Sequence, residues 1–216
     1  MDKKMYENVV GCVLQKQAGA TADVIGSIVG GLPTMLIGNS IAPGAGRVLG
    51  TAVGRGAGLI GAANPASPED VKKFNDTPAL SFIPGVGYYR ISQRVQGTAK
   101  KYGDKAPRAR ALSTELGPVT STLLSTLIGS GIGATTSLIT GEPKDIIRGG
   151  IAGGLTGATA ASIANLIGAL SAGITPRRTD KEQKDSGRVS QKVMNYLVPG
   201  VATYDKFKTL GKSNEL

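Results

Sequence analysis

Small residues recur at every fourth position through four apolar stretches of this chain, and that spacing limits its folding more than any other feature. The run GRVLGTAVGRGAGLIG, residues 46–61, places Gly46, Gly50, Gly54 and Gly58 four apart and sets Arg47 and Arg55 directly beside two of them. An interior glycine costs about 1 kcal/mol relative to alanine in a helix, so four in one helix need a compensating contact. Residues four apart lie on one slowly drifting stripe, and a stripe of small residues lets a neighbouring backbone approach closely.

The other stretches repeat the pattern: Ala22, Gly26 and Gly30; Gly129, Gly133 and Ser137; Gly149, Gly153, Gly157 and Ala161. The segment GNSIAPGAG separates the first pair of stretches and TGEPKDIIRG the second. Each stretch falls in the range of about 17–25 residues that crosses a hydrocarbon core as a helix. An all-α chain of two helical hairpins, with four membrane-type helices, is predicted. In its packing motif, over about half of the chain, it resembles the glycine-zipper class of membrane proteins. The glycines expected to pack helices are Gly26, Gly30, Gly46, Gly50, Gly54, Gly58, Gly129, Gly133, Gly149, Gly153 and Gly157.

Composition removes most alternatives. The chain has 216 residues with 32 glycines, no tryptophan, 4% aromatics and no histidine. So few large side chains bury little apolar area per residue, and that burial is the main force folding a soluble domain. Without histidine the usual acid–base group and commonest metal ligand are missing. The single cysteine, Cys12, excludes an internal disulfide or a cysteine metal cluster and reads as a small apolar residue. No catalytic set, cofactor or metal site is expected, and no secretory signal is read in the N-terminal residues.

The net charge of +10 points to anionic partners: a phospholipid bilayer, an acidic protein, or nucleic acid through the basic linker and tail. Residues 63–117 and 175–216 each hold nine Lys or Arg, whereas the hairpin tips hold few. The positive-inside rule then puts the termini and linker on the cytoplasmic or interior side, with an even number of crossings. Arg47 and Arg55 each oppose insertion by about 2.5–3.5 kcal/mol near a helix centre, so the second stretch is not expected to insert alone. With Thr51 they form a polar stripe beside the glycine stripe. It either faces a polar lumen or an acidic partner, or its arginines snorkel to headgroups. Pro33 predicts a kink or break in the first stretch.

Two further stretches read alike: FIPGVGYYRISQRVQG at 82–97 and YLVPGVATYDKFKTLGK at 196–212. Each follows a hairpin and a polar linker, which suggests an internal repeat. Tyr88, Tyr89, Arg90 and Arg94 in the first, and Tyr204, Lys206 and Lys208 in the second, suit the headgroup layer of an anionic membrane. Packing of the same amphipathic helices on their own hairpins is the other reading. The expected organisation is a polar or amphipathic segment 1–21, hairpin 22–62, basic linker 63–117, hairpin 118–174 and basic tail 175–216.

GAGLIG at 56–61 spells a dinucleotide-binding loop, but AANPASP follows where a long helix is required. KTLGKS lacks the first glycine of a phosphate loop, and Asn75-Asp76-Thr77 matches a glycosylation acceptor only by spacing. What remains is a non-enzymatic, oligomer-forming membrane protein. The settings expected are a virion component assisting genome passage through a membrane, a cellular membrane scaffold, or a capsid-interior protein whose hairpins pack on other proteins.

Overall fold

The computed structural model describes residues 19–43, 45–141 and 144–213; Cys12 and most of the segment 1–21 lie outside the described residues. Those residues are all-α, with no strand among them. The chain divides into two compact units, Met1–Ala111 with Thr209–Leu216, and Leu112–Lys208.

The first unit opens with helices α1 (19–29) and α2 (Gly31–Ile41), which form one apolar stretch interrupted at Gly30. The break is where Pro33 requires it: proline has no N–H to donate, and its ring collides with the carbonyl four residues earlier, that of Val29. Helix α3 (Ala45–Ala63) runs back along α2 and completes the hairpin. At its tip a side chain on Gly38 would meet the Gly46 backbone, with Gly46 Cα only 2.5 Å from the added carbon.

Helix α4 (Pro68–Asp76) begins with a reciprocal cap: the Asp70 N–H donates to Ser67 Oγ at 3.1 Å, and the Ser67 N–H donates to the Asp70 carboxylate at 3.0 Å. The Ser67 N–H and hydroxyl together hold the Asp70 carboxyl below the usual aspartate value. A carboxyl whose folded value is depressed stabilises the fold above its unfolded value, and loses that contribution as pH falls through the folded one. Ser67→Ala is expected to cost about 1 kcal/mol at neutral pH, and much of the difference from the parent should vanish in denaturant titrations at pH well below the ordinary carboxylate range. An unchanged difference there would show that Asp70 takes no part in the cap.

A 3-10 turn (Pro78–Phe82) leads to Pro84 and Gly85, and Gly85 takes φ +83° to open helix α5 (Val86–Lys101). Such a φ is strained for any residue with a side chain. Every residue of α5 from Arg90 to Ala99 is buried. Ile91 and Val95 meet Leu210, with Val24 against them. The expected amphipathic helix is present, and of its two readings the packing of α5 on its own hairpin is the one with contacts in place.

The long helix α6 (Pro107–Thr140), which belongs to the second unit from Leu112 onward, starts well inside the region expected to be linker and continues through Pro118. Helix α7 (Asp145–Ile174) returns along it and stops at Thr175, whose extended backbone is imposed by Pro176. Helix α8 (Asp180–Ser186) carries the same kind of reciprocal cap as α4, here between Thr179 and Glu182. Helix α9 (Val189–Leu197) follows, then Gly200 at φ +88° opens α10 (Val201–Leu210). Both units therefore run in the same order: apolar hairpin, capped short helix, left-handed glycine after proline, final helix.

Candidate functional site

Among the described residues, three helical stretches are long and apolar enough to cross a membrane: Gly19–Ile41, Pro107–Thr140 and Asp145–Ile174. Their large side chains point outward. Ile128, Ile132, Ile139, Ile147, Ile151, Leu155, Ile167 and Ile174 are all more than half exposed on α6 and α7, and Ile28, Leu36 and Ile41 on the first stretch. Soluble monomers rarely expose contiguous apolar patches beyond a few hundred Å², so helices of this kind suggest a membrane location. α3 is the exception among the four expected segments: it is long enough but falls short in apolar content, with Arg47 and Arg55 inside it.

Threonine and serine dilute the hydropathy of α6 and α7 without leaving polar groups unserved. Thr122, Thr126, Thr135, Thr136, Thr140, Thr156, Thr159 and Ser162 each donate their hydroxyl to the carbonyl four residues back, at 2.6–2.9 Å. A donor satisfied within its own helix needs no water, which is the requirement for polar groups in hydrocarbon.

Between α6 and α7 the backbones approach at the expected glycines. A Cβ on Gly129 would overlap the Gly153 carbonyl oxygen, and one on Gly133 would overlap that of Gly149. Gly149 faces Gly133 and Ser137, Gly153 faces Gly129, and Gly157 faces the Ser125 carbonyl. In the first hairpin the glycines divide their contacts. Gly46 meets the Met35 carbonyl and Gly50 the Met35 side chain, while a Cβ on Gly54 would sit 3.0 Å from the Tyr88 ring. Gly26 and Gly30 face the turn at Ser81, Phe82 and Ile83 rather than α3. Gly58 is buried in α3.

Each unit also holds ionic groups in its interior. In the first, Asp23 and Arg94 are both fully buried and paired, Arg94 Nε donating to Asp23 Oδ2 at 2.8 Å. Arg90 lies 3.7 Å from Asp23, and donates to Ser81 Oγ at 2.9 Å and to the Thr77 carbonyl at 2.8 Å. The Ser81 hydroxyl donates to Asp23 in turn. Arg94 also donates to Asn75 Oδ1 at 2.8 Å, and the Phe74 ring sits under both guanidiniums at 4.9 and 5.5 Å. Arg90 and Arg94 are thus turned into the unit instead of lying on an open face of α5. Tyr88 and Tyr89 are half-buried beside them.

In the second unit Lys206 pairs with the buried Glu115. Lys208 donates to the carbonyls of Thr175 and Pro176, placing a cation at the negative end of the α7 dipole. Asp205 receives Arg178 at 2.5 Å and the Asn195 amide at 3.3 Å, and Asn195 also donates to Ser113 at 3.1 Å. Tyr204 has the Arg178 guanidinium 5.6 Å and the Lys208 ammonium 5.9 Å from its ring centre. Lys206 and Lys208, expected at a headgroup surface, are buried by these partners.

Arg47, Thr51 and Arg55 do come together. They line one wall of a half-open groove of about 480 Å³ in the first unit, whose other walls are Ser27, Ile28, Gly31 and Met35, with Tyr88 in its lining as well. Sequence reasoning missed Asp23, Ser81, Glu115, Asn195 and Asp205. An acid such as Asp23 at the start of an apolar stretch was a usable signal, because an ionisable group there demands a partner. Comparison with protein-family models, curated proteins and solved structures finds no match.

Proposed function

We propose that this chain is a non-enzymatic structural protein of a membrane, built from two related units whose hairpins enter the bilayer as packed pairs. One observation carries the reading: apolar side chains face outward along the candidate spans while buried ionic side chains pair within each unit. That is the reverse of a soluble domain and the arrangement a bilayer favours. The common element order, the two reciprocal caps and the two left-handed glycines support descent of both units from one duplicated hairpin module. The glycine faces of α6 and α7 are occupied by each other, so the zipper acts within the chain. Association with further copies then falls to the outward apolar faces.

Flotation with anionic liposomes followed by an alkaline carbonate wash tests this. The protein is expected to float and to survive the wash; recovery in the wash would place the hairpins against protein and favour a capsid-interior component. Solute leakage from the same liposomes separates the two membrane roles. With a net charge of +10, a virion component that assists genome passage should release solute, whereas a scaffold should bind without release.

A further inference from the structure

We propose that the groove where α7 ends binds a phosphoethanolamine group, carried by a membrane phospholipid. Arg177, Arg178 and Lys208 take its phosphate, and the carboxylates of Glu182 and Asp185 take its primary ammonium; all five residues line the groove. The assignment rests on the membrane reading above. The groove lies within the second unit and has a volume of about 480 Å³, inside the range of small-molecule sites, roughly 300–1,000 Å³. Its cations come from the segment after α7 and from α10, and its carboxylates from α8, so charges of opposite sign arrive on different elements.

Four of these charged groups are oriented by partners inside the protein, and each keeps bonding capacity beyond that partner. Arg178 donates from Nη1 to Asp205 at 2.5 Å, and Lys208 donates to the carbonyls of Thr175 and Pro176. A guanidinium has five N–H donors and an ammonium three, so both have donors left. Arg177 is exposed and keeps all of its donors among the described residues. Glu182 accepts the Thr179 N–H and hydroxyl on Oε2, at 2.7 and 3.0 Å, and Asp185 accepts Arg188 on Oδ1 at 2.8 Å. One oxygen of each carboxylate is left for a ligand. The Thr179 bonds, with the charges of Arg178 and Lys208, hold the Glu182 carboxyl below the usual glutamate value, so it is an anion at neutral pH. Donors and acceptors in one groove match a ligand that carries both charges, whereas a lone phosphate would have to approach two carboxylates.

The position fits a lipid, and the chemistry selects its headgroup. Thr175 and Pro176 line the groove and directly follow Ile174, which ends a candidate membrane span and is 83% exposed. A ligand here has its charged group at the end of the span and its acyl chains along the apolar surface of α7. A primary ammonium donates hydrogen bonds to carboxylates, which the quaternary ammonium of choline cannot do. Choline would need an aromatic face, and the Tyr204 ring already has the Arg178 and Lys208 cations 5.6 and 5.9 Å from its centre. Phosphatidylglycerol offers a phosphate but no cation for Glu182 and Asp185.

The test uses the full chain in neutral detergent, titrated with short-chain phosphatidylethanolamine, phosphatidylcholine or phosphatidylglycerol and followed by native mass spectrometry. Phosphatidylethanolamine is expected to bind about tenfold more tightly than either of the others, a difference of about 1.4 kcal/mol. R177Q should weaken phosphatidylethanolamine and phosphatidylglycerol alike, because both present a phosphate. E182Q/D185N should abolish the preference for phosphatidylethanolamine over phosphatidylglycerol. K181Q, an exposed change on α8 outside the groove lining, should leave both properties intact. If circular dichroism shows that the double variant does not fold, E182Q alone carries the test, since glutamine also serves at that position of a reciprocal cap.

Equal binding of the three lipids, retention of the preference in E182Q/D185N, unchanged affinity in R177Q or an equal loss in K181Q would overturn the proposal. Water-soluble glycerophosphoethanolamine is expected to bind more weakly than the lipid; equal affinity would overturn the lipid assignment in favour of a free phosphoethanolamine compound. A protein that selects phosphatidylethanolamine in detergent yet fails to float on liposomes would sink the membrane reading while leaving the groove assignment standing. One that floats but does not discriminate among the lipids would do the reverse.

Discussion

Replacing Gly153 with leucine is expected to separate α6 from α7, with a loss of about 3 kcal/mol or more, at or beyond the top of the usual range for overpacked interiors. A Cβ there overlaps the Gly129 carbonyl and sits 3.1 Å from Gly133 Cα. Backbone atoms cannot rotate away as side chains do, so relief requires moving the whole helix. Gly131, two residues before Gly133 on α6, has open space around the added carbon, and G131L should be tolerated within about 0.5 kcal/mol as a surface change. Unfolding by denaturant or heat in detergent micelles reads both. Equal losses would mean that the close approach does not hold the pair together. The first hairpin should grade in the same way. G46L, against the Met35 carbonyl, is expected to be worse than G50L, where the flexible Met35 side chain can yield.

Removing the Asp23 carboxylate should have a comparably large effect for an electrostatic reason. Asp23→Ala removes the carboxylate paired with the fully buried Arg94, and deprives the nearly buried Arg90 of the same anion. Breaking a buried pair in this way costs about 3–5 kcal/mol, whereas replacing both partners by apolar residues is often close to neutral. D23A/R94M should therefore be more stable than D23A alone, although each change by itself is destabilising. If the double variant lost as much as the sum of the two singles, the pair would not be coupled, and burial alone would explain the losses.

Local rules made much of this protein readable in advance. Pro33 interrupts the apolar stretch because of bonds within a few residues, and the break at Gly30 is where that chemistry puts it. Ser67 with Asp70 and Thr179 with Glu182 show the spacing of reciprocal caps, although that pattern was not used in reading the sequence. The Pro-Gly pairs at 84–85 and 199–200 announced turns, and both glycines take the left-handed conformation. Hydroxyls on α6 and α7 lower the hydropathy of these helices, and the i−4 bonding explains why they are compatible with a membrane span.

The partners of each helix face were not readable. Periodicity identified a stripe of small residues on α1 and on α6 alike, yet Gly129 and Gly133 meet the returning helix while Gly26 and Gly30 meet the turn before α5. The expected surface cations Arg90, Arg94, Lys206 and Lys208 became internal because Asp23, Glu115 and the end of α7 lie within their reach.

The sequence by itself determined the helical class, the apolar stretches, their breaks and the positions at which a side chain must be absent. These depend on the conformational limits of proline and glycine and on the free energy of apolar surface, both set by neighbours in the chain. Only the tertiary structure decided which backbone each glycine faces, which acid each cation finds and where Arg47, Thr51 and Arg55 open onto a groove. Those outcomes depend on residues such as Asp23 and Arg94, 71 positions apart, and an ion pair forms only where folding has already brought both partners out of water.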